Sequence, residues 1–292
     1  MPRKQPRVHE GEPGAFGLLC PAPERTLMSQ YDFRFECGSD GVAVLTFDRP
    51  DTLNSLTFKI YAQLERLFVD LADDDAVKAI VLTGAGRGFC SGGSVDEIIA
   101  PLLESELHET LEFTRMTGAV VRNMCKLQKP IVAAINGIAA GAGSVLALAS
   151  DIRVMSEAAK FAFLFTKVGL TGADMGAAWL LPRVVGTGRA MELLMLGDKV
   201  DAQEAFRIGL ANRVTAPDQT LPTALHIARK LAEGPLLALG MTKKMVYQEW
   251  MMDLEAAIEQ EAQAQALMLR GHDHLEFFRA WTEKREPRFS GR

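Results

Sequence analysis

Lys129-Pro-Ile-Val-Ala-Ala-Ile-Asn-Gly-Ile-Ala-Ala-Gly-Ala-Gly143 is a short apolar run that ends in small residues and opens onto a segment of helical composition. A second stretch, Ala79-Ile-Val-Leu-Thr-Gly-Ala-Gly-Arg-Gly-Phe-Cys-Ser-Gly-Gly93, has the same layout. The runs Ala79 to Leu82 and Ile131 to Ala134 have the continuous apolar character of strands buried on both faces, which is α/β logic. A strand that turns through glycine into a helix presents unpaired N–H groups where the helix dipole is positive. One such turn is ordinary chain reversal. Two of them can hold one developing oxyanion from two sides.

Outward from these turns, Phe33 and Phe35 followed by Val42 to Phe47 give two strands joined near Gly38-Ser-Asp-Gly41. Ser55 to Asp73 places Ile60, Leu64, Leu67, Phe68 and Leu71 on one helical face. Beyond about Asp201 the pattern is helical, ending in a long stretch from Leu236 to Leu269. The first 30 or so residues interleave Pro2, Pro6, Pro13, Pro21 and Pro23 with charges and glycines, which reads as a disordered extension, with Met28 an alternative start. The expected organisation is an extension over 1–30, a spiral core over 31–200 and a helical region over 201–292.

The whole chain has 292 residues, 48% apolar and 24% charged, enough to bury a full core. Its net charge of −5 gives no bulk attraction for nucleic acid. Cys20, Cys37, Cys90 and Cys125 have neither CxxC nor Cys/His metal spacing, and the lack of a basic stretch followed by a long apolar run argues against secretion. A cytoplasmic protein with reduced thiols, no bound metal and no membrane span is expected.

The two glycine-rich stretches, with Phe47-Asp-Arg-Pro50, Asn54-Ser-Leu56, Gly186-Thr-Gly-Arg-Ala-Met-Glu-Leu193, Glu204-Ala205 and Gly209-Leu210, resemble the crotonase superfamily, the enoyl-CoA hydratase/isomerase family. The resemblance runs from about Tyr31 to Phe289 and implies a spiral of ββα units with a C-terminal helical trimerisation region. It implies a homotrimer or a dimer of trimers, an acyl-CoA substrate, and no permanently bound cofactor, coenzyme A arriving as part of the thioester. It places the oxyanion-hole N–H groups at Gly93 and Ala142.

The two glutamates of hydratases in this family match Val145 and Phe165, neither of which can handle a proton. One carboxylate remains, in Gly169-Leu-Thr-Gly-Ala-Asp-Met-Gly176, a loop that resembles those carrying the catalytic aspartate of dienoyl-CoA isomerases and the nucleophilic aspartate of aroyl-CoA dehalogenases. Asp174 is therefore a candidate acid/base, a candidate nucleophile, or the N-cap of the helix that follows. Phe161, Phe163, Leu164, Phe165, Val168 and Leu170 are expected to surround it with apolar surface and raise its pKa. Phe163, Phe165 and Trp179 fit a bulky or aromatic acyl group, or simply core.

Trp281 and Lys284 match an aromatic and basic pair that reaches the nucleotide part of CoA in the family, with Arg49 and Leu53 framing it from the other side. Ser91 and the replaced positions Val145 and Phe165 complete the candidate substrate contacts. His108, Glu109, Glu112, Thr114, Arg115 and Thr117 are candidates for a second polar group, or a solvated helix face. Three activities stay open: isomerase or hydratase chemistry at Asp174, hydrolytic or dehalogenase-like chemistry through an Asp174 adduct, and silent acyl-CoA binding.

Overall fold

The computed structural model describes residues 25–26 and 31–291. The proposed disordered extension and Met28 lie outside the described residues, apart from the two-residue strand β1 (Arg25–Thr26). It pairs antiparallel with β2 (Arg34–Cys37), which in turn pairs antiparallel with β3 (Val42–Phe47). Helix α1 (Phe58–Asp70) follows, capped by the Thr57 hydroxyl, which accepts from the Ile60 N–H. Its buried face is Ile60, Tyr61, Leu64, Leu67 and Phe68, close to the apolar stripe that the sequence spacing gives.

The chain then repeats one unit three times. The first turn of the spiral is β4 (Ala79–Gly84), β5 (Gly88–Cys90), the short α2 (Ala100–Leu103) and α3 (Leu107–Lys126). The second is β6 (Ile131–Ile135), β7 (Ile138–Ala140) and α4 (Ala142–Leu148); the third is β8 (Ile152–Ser156), β9 (Lys160–Ala162) and α5 (Ala177–Val185). In each unit the first strand enters a large sheet and the second enters a small one. After α6 (Thr187–Leu196), β10 (Lys199–Asp201) and α7 (Ala202–Arg207), strand β11 (Arg213–Thr215) closes the large sheet, ordered β1-β2-β3-β4-β6-β8-β11. The small sheet is ordered β10-β9-β7-β5. All pairings among β3, β4, β6, β8 and β11 are parallel, as are β5 with β7 and β7 with β9. The strands β4 and β6 are apolar along nearly their whole length because both sheet faces are covered.

Four helices complete the chain: α8 (Thr220–Ala232), α9 (Leu236–Glu249), α10 (Leu254–Leu269) and α11 (His272–Glu283). Helix α8 packs Ala224, Ile227, Ala228 and Ala232 on the outer face of the large sheet. Lys243 of α9 reaches Asp151 at 2.8 Å, fastening that helix to the second spiral turn. By contrast, α10 and α11 bury little of themselves, and Leu254, Leu267, Phe277, Phe278 and Trp281 stand exposed. No helix among the described residues is long and apolar enough to cross a membrane, and no cluster of metal-ligating side chains occurs among them.

Candidate active site

The two glycine turns come together because β5 and β7 are parallel neighbours and both turns leave their C-terminal ends. Contact there is backbone to backbone. A Cβ on Gly143 would stand 2.1 Å from the Cys90 carbonyl oxygen, and one on Gly92 would stand 3.0 Å from the Ala140 oxygen and 3.3 Å from the Ala142 nitrogen. Gly92 also has φ +96°, a conformation side chains resist. Glycine is required here for close approach, over and above the turn itself.

Gly93 forms a parallel bridge with Leu56 in which the Leu56 N–H donates to Gly92 O and the Ser94 N–H donates to Leu56 O, both at 2.8 Å. Alternation along the strand therefore turns the Gly93 N–H away from Leu56, toward the side where α4 begins. Ala142 is the first residue of α4, so its N–H has no intrahelical acceptor. Both N–H groups are thus unspent and stand on adjacent turns.

The first turn is braced from outside. Asn54, 1% exposed, accepts from the Arg49 N–H at 2.9 Å and donates to the Ala85 and Gly88 carbonyls at 2.9 and 2.8 Å. Leu53 and Asn54 both have left-handed backbone, at φ 54° and 61°, which the asparagine network over-determines. Ser91 donates its hydroxyl to Thr52 O and its N–H to Leu53 O, both at 2.9 Å, so it binds Leu53 to the turn. Arg49 donates to Ser55 O and pairs with Glu97. Glu97 belongs to a π-helical turn, Val95–Ile99, from which Ile98 packs near Gly93. The sequence reading missed this irregular turn, since no local signal separates it from an ordinary helix.

Asp174 does not cap α5. The N-cap is Gly176, at φ 87° and without a side-chain cap bond, and Met175 before it is also left-handed at φ 49°. Two successive positive φ values bend the chain so that Asp174 stands off the helix, half-buried. Burial pushes its carboxyl above the usual carboxylate range, and the Met175 N–H opposes this only in part. Its apolar surround is narrower than the sequence reading has it. Phe161, Phe163 and Phe165 are buried, but Val168 and Leu170 are 67% and 53% exposed.

Val145 is fully buried on α4, and Phe165 is 6% exposed, so apolar side chains fill both positions where a carboxylate pair is lacking. Trp179 stacks with Tyr247 and meets Trp250 edge-on, with the Arg183 guanidinium 4.3 Å above it, so it joins α5 to α9 and packs as core. On α3, His108, Glu109, Glu112, Thr114 and Arg115 are exposed, and Glu109 forms a capping box with Glu106. Thr117 is buried, but its hydroxyl donates to Thr114 O within the helix. Trp281 is 70% exposed on α11, and Lys284 ends that helix in left-handed backbone. Cys90 is buried, and burial pushes its thiol up to about 12, which makes it inert.

Against known proteins, the family profile described as Enoyl-CoA hydratase/isomerase matches residues 38–292. The chain is 37% identical over 252 residues to the 1,2-epoxyphenylacetyl-CoA isomerase of Escherichia coli K12, covering 86% of this chain and 96% of that one. It is 33% identical over 249 residues to the crotonyl-CoA hydratase of Syntrophomonas wolfei, covering 85% and 94%. Among crystal structures, the Streptomyces coelicolor A3(2) protein described as a "putative enoyl-CoA hydratase" superposes with a TM-score of 0.88 at 51% identity, covering 95% of this chain and 98% of that one.

Proposed function

Because the chain belongs to the enoyl-CoA hydratase/isomerase family and is an acyl-CoA enzyme of that type, we propose that it moves a proton on an acyl-CoA thioester with Asp174 as its single acid/base. The thioester carbonyl oxygen sits between the N–H groups of Gly93 and Ala142. Asp174, as the carboxylate, takes a proton from a carbon of the acyl chain, and the released electron pair moves through the conjugated system onto that oxygen. The two N–H groups hold the enolate, each contributing on the order of 3 kcal/mol of transition-state stabilisation. The carboxylic acid then returns the proton to another carbon, and the double bond has migrated. Addition of water needs a second proton-handling group, and the hydratase positions for one hold Val145 and Phe165.

The observations that carry this reading are the half-buried Asp174 carboxyl, free of the α5 cap and raised by burial, and the two unspent N–H groups on the adjacent glycine turns. The Escherichia coli relative, a 1,2-epoxyphenylacetyl-CoA isomerase, supports isomerisation of an acyl-CoA only at that general level. Trp281 and Lys284 are proposed contacts for the CoA nucleotide, with Leu53 and Ser91 shaping the near edge. The exposed apolar residues of α10 and α11 are the proposed trimer surface, in a cytoplasmic protein. The test is Asp174→Asn: turnover of a panel of aliphatic and aromatic acyl-CoA esters is lost while ester binding is kept. A transient acyl- or aryl-enzyme mass on wild type would instead make Asp174 a nucleophile. Unchanged turnover in the variant would end the acid/base reading.

A further inference from the structure

Asn136 joins β6 to β7, the strand that leads into the second turn, and its side chain reaches across to the strand that leads into the first. Its amide nitrogen donates to the Gly84, Gly86 and Gly88 carbonyls at 2.9, 3.0 and 3.1 Å, and its amide oxygen accepts from the Gly84 N–H at 3.2 Å. The Gly88 carbonyl also receives the Asn54 amide at 2.8 Å, so two asparagines from separate loops converge on one backbone oxygen. Glycine makes this approach possible. A side chain on Gly137 would overlap the Arg87 carbonyl, and one on Gly84 would overlap the Gly88 and Phe89 carbonyls.

Gly88 is where the ladder between β5 and β7 changes register. It pairs with Ile138, but the next pair is Cys90 with Ala139, so Phe89 is an extra residue on β5. Phe89 is fully buried, with its ring edge-on to Phe47 at 5.7 Å. Past this bulge the two chains run level: Gly93 lies as far beyond Cys90 as Ala142 lies beyond Ala139. Without the extra residue the place level with Ala142 would fall to Gly92. Neighbouring N–H groups in an extended chain point in opposite directions, so that slip would aim the wrong group.

We propose that Asn136 is a positioning residue, whose side-chain amide holds the bulged start of β5 and thereby sets the spacing between the Gly93 and Ala142 N–H groups. This rests on the reading that those two groups hold the thioester oxygen. Each of the bonds from Asn136 is to backbone, so its effect on the substrate passes through β5. A shift of β5 by about 0.5 Å is enough to weaken one of two hydrogen bonds aimed at a single oxygen. Asn54 and the buried Phe89 ring still anchor β5 without Asn136, so the site loosens while the fold stays.

The test is the carbonyl stretch of a bound saturated acyl-CoA, carbon-13 labelled at the thioester, read by difference infrared spectroscopy beside kcat and KM on a turned-over ester. Wild type should hold the carbonyl at a lower frequency than the free ester in water. Asn136→Ala should return the band toward the free position and lower kcat by about tenfold or more, with KM changed far less. Lys243→Met, which breaks the Asp151 pair at the opposite end of β6, should leave the band where wild type has it. An unmoved band or an unchanged kcat in folded Asn136→Ala would overturn the assignment, as would an equal band shift in Lys243→Met. Asn136→Ser keeps one donor and should fall between wild type and Asn136→Ala. Failure of both Asn136 variants to fold would also overturn it, by making the residue part of the fold alone. Failure of the oxyanion reading itself shows separately, as a wild-type band no lower than that of the free ester.

Discussion

Gly143→Ala puts one methyl group between the two turns. The added Cβ would lie 2.1 Å from Cys90 O and 2.8 Å from both Cys90 C and Cys90 Cβ, whereas ordinary contact begins at 3.4 Å. Two of those atoms are backbone, so no rotamer change relieves the overlap, and α4 must move from β5 by about 1 Å. Gly93 is held in place by Leu56, so the movement falls on Ala142 and opens the gap between the two N–H groups. A hydrogen bond of about 2.9 Å stretched by that amount is lost. Removing one oxyanion donor reduces turnover by about 10²- to 10³-fold. Overpacking adds about 1–3 kcal/mol of destabilisation. The assay is kcat on a turned-over acyl-CoA together with ester affinity and thermal unfolding. The control is Gly188→Ala, at an α6 glycine whose Cβ would meet nothing within 4 Å, expected to keep kcat and hold or gain up to about 1 kcal/mol of stability. Wild-type kcat in a folded Gly143→Ala protein would refute an oxyanion site between these turns.

Four further outcomes follow from the same geometry. Since Asp174 must be ionised to accept a proton, kcat/KM should rise with pH through its raised native pKa. Because that native pKa lies above the unfolded one, the folded form holds the proton more tightly and Asp174 loses stabilising effect as pH rises through the window between them. Asp174→Asn should therefore melt at or above wild type at pH 8 and match it in acid, as thermal unfolding across pH would show. Lys243→Met strands the Asp151 carboxylate, whose other partner is the Ile131 N–H at 2.8 Å, and should lower unfolding free energy by about 3 kcal/mol in urea. Asn54→Ala removes three hydrogen bonds made by a buried side chain at a left-handed position and should lower stability by about 2–4 kcal/mol, with reduced turnover as the first turn loosens.

Much of this was legible from residue types. The apolar runs at Ala79 and Ile131, each ending in glycine, carry both the parallel sheet and the adjacency of the turns, because buried parallel strands and right-handed crossovers leave few alternatives. Asp174 stood out because it survives where Val145 and Phe165 do not. Its release from the α5 N-cap was not legible, since Asp-Met-Gly before a helix is a plain capping sequence, and only the positive φ at Met175 shifts the cap to Gly176. Of the two readings the sequence leaves open for Trp179, acyl contact or core, its packing against Tyr247, Trp250 and Arg183 fits the second.

The most direct measurement is deuterium incorporation from D2O into acyl-CoA esters, followed by intact mass for wild type and Asp174→Asn side by side. The account requires exchange, or a migrated double bond carrying deuterium, with wild type, and none with the variant although the ester still binds. Equal exchange by the two proteins would contradict it.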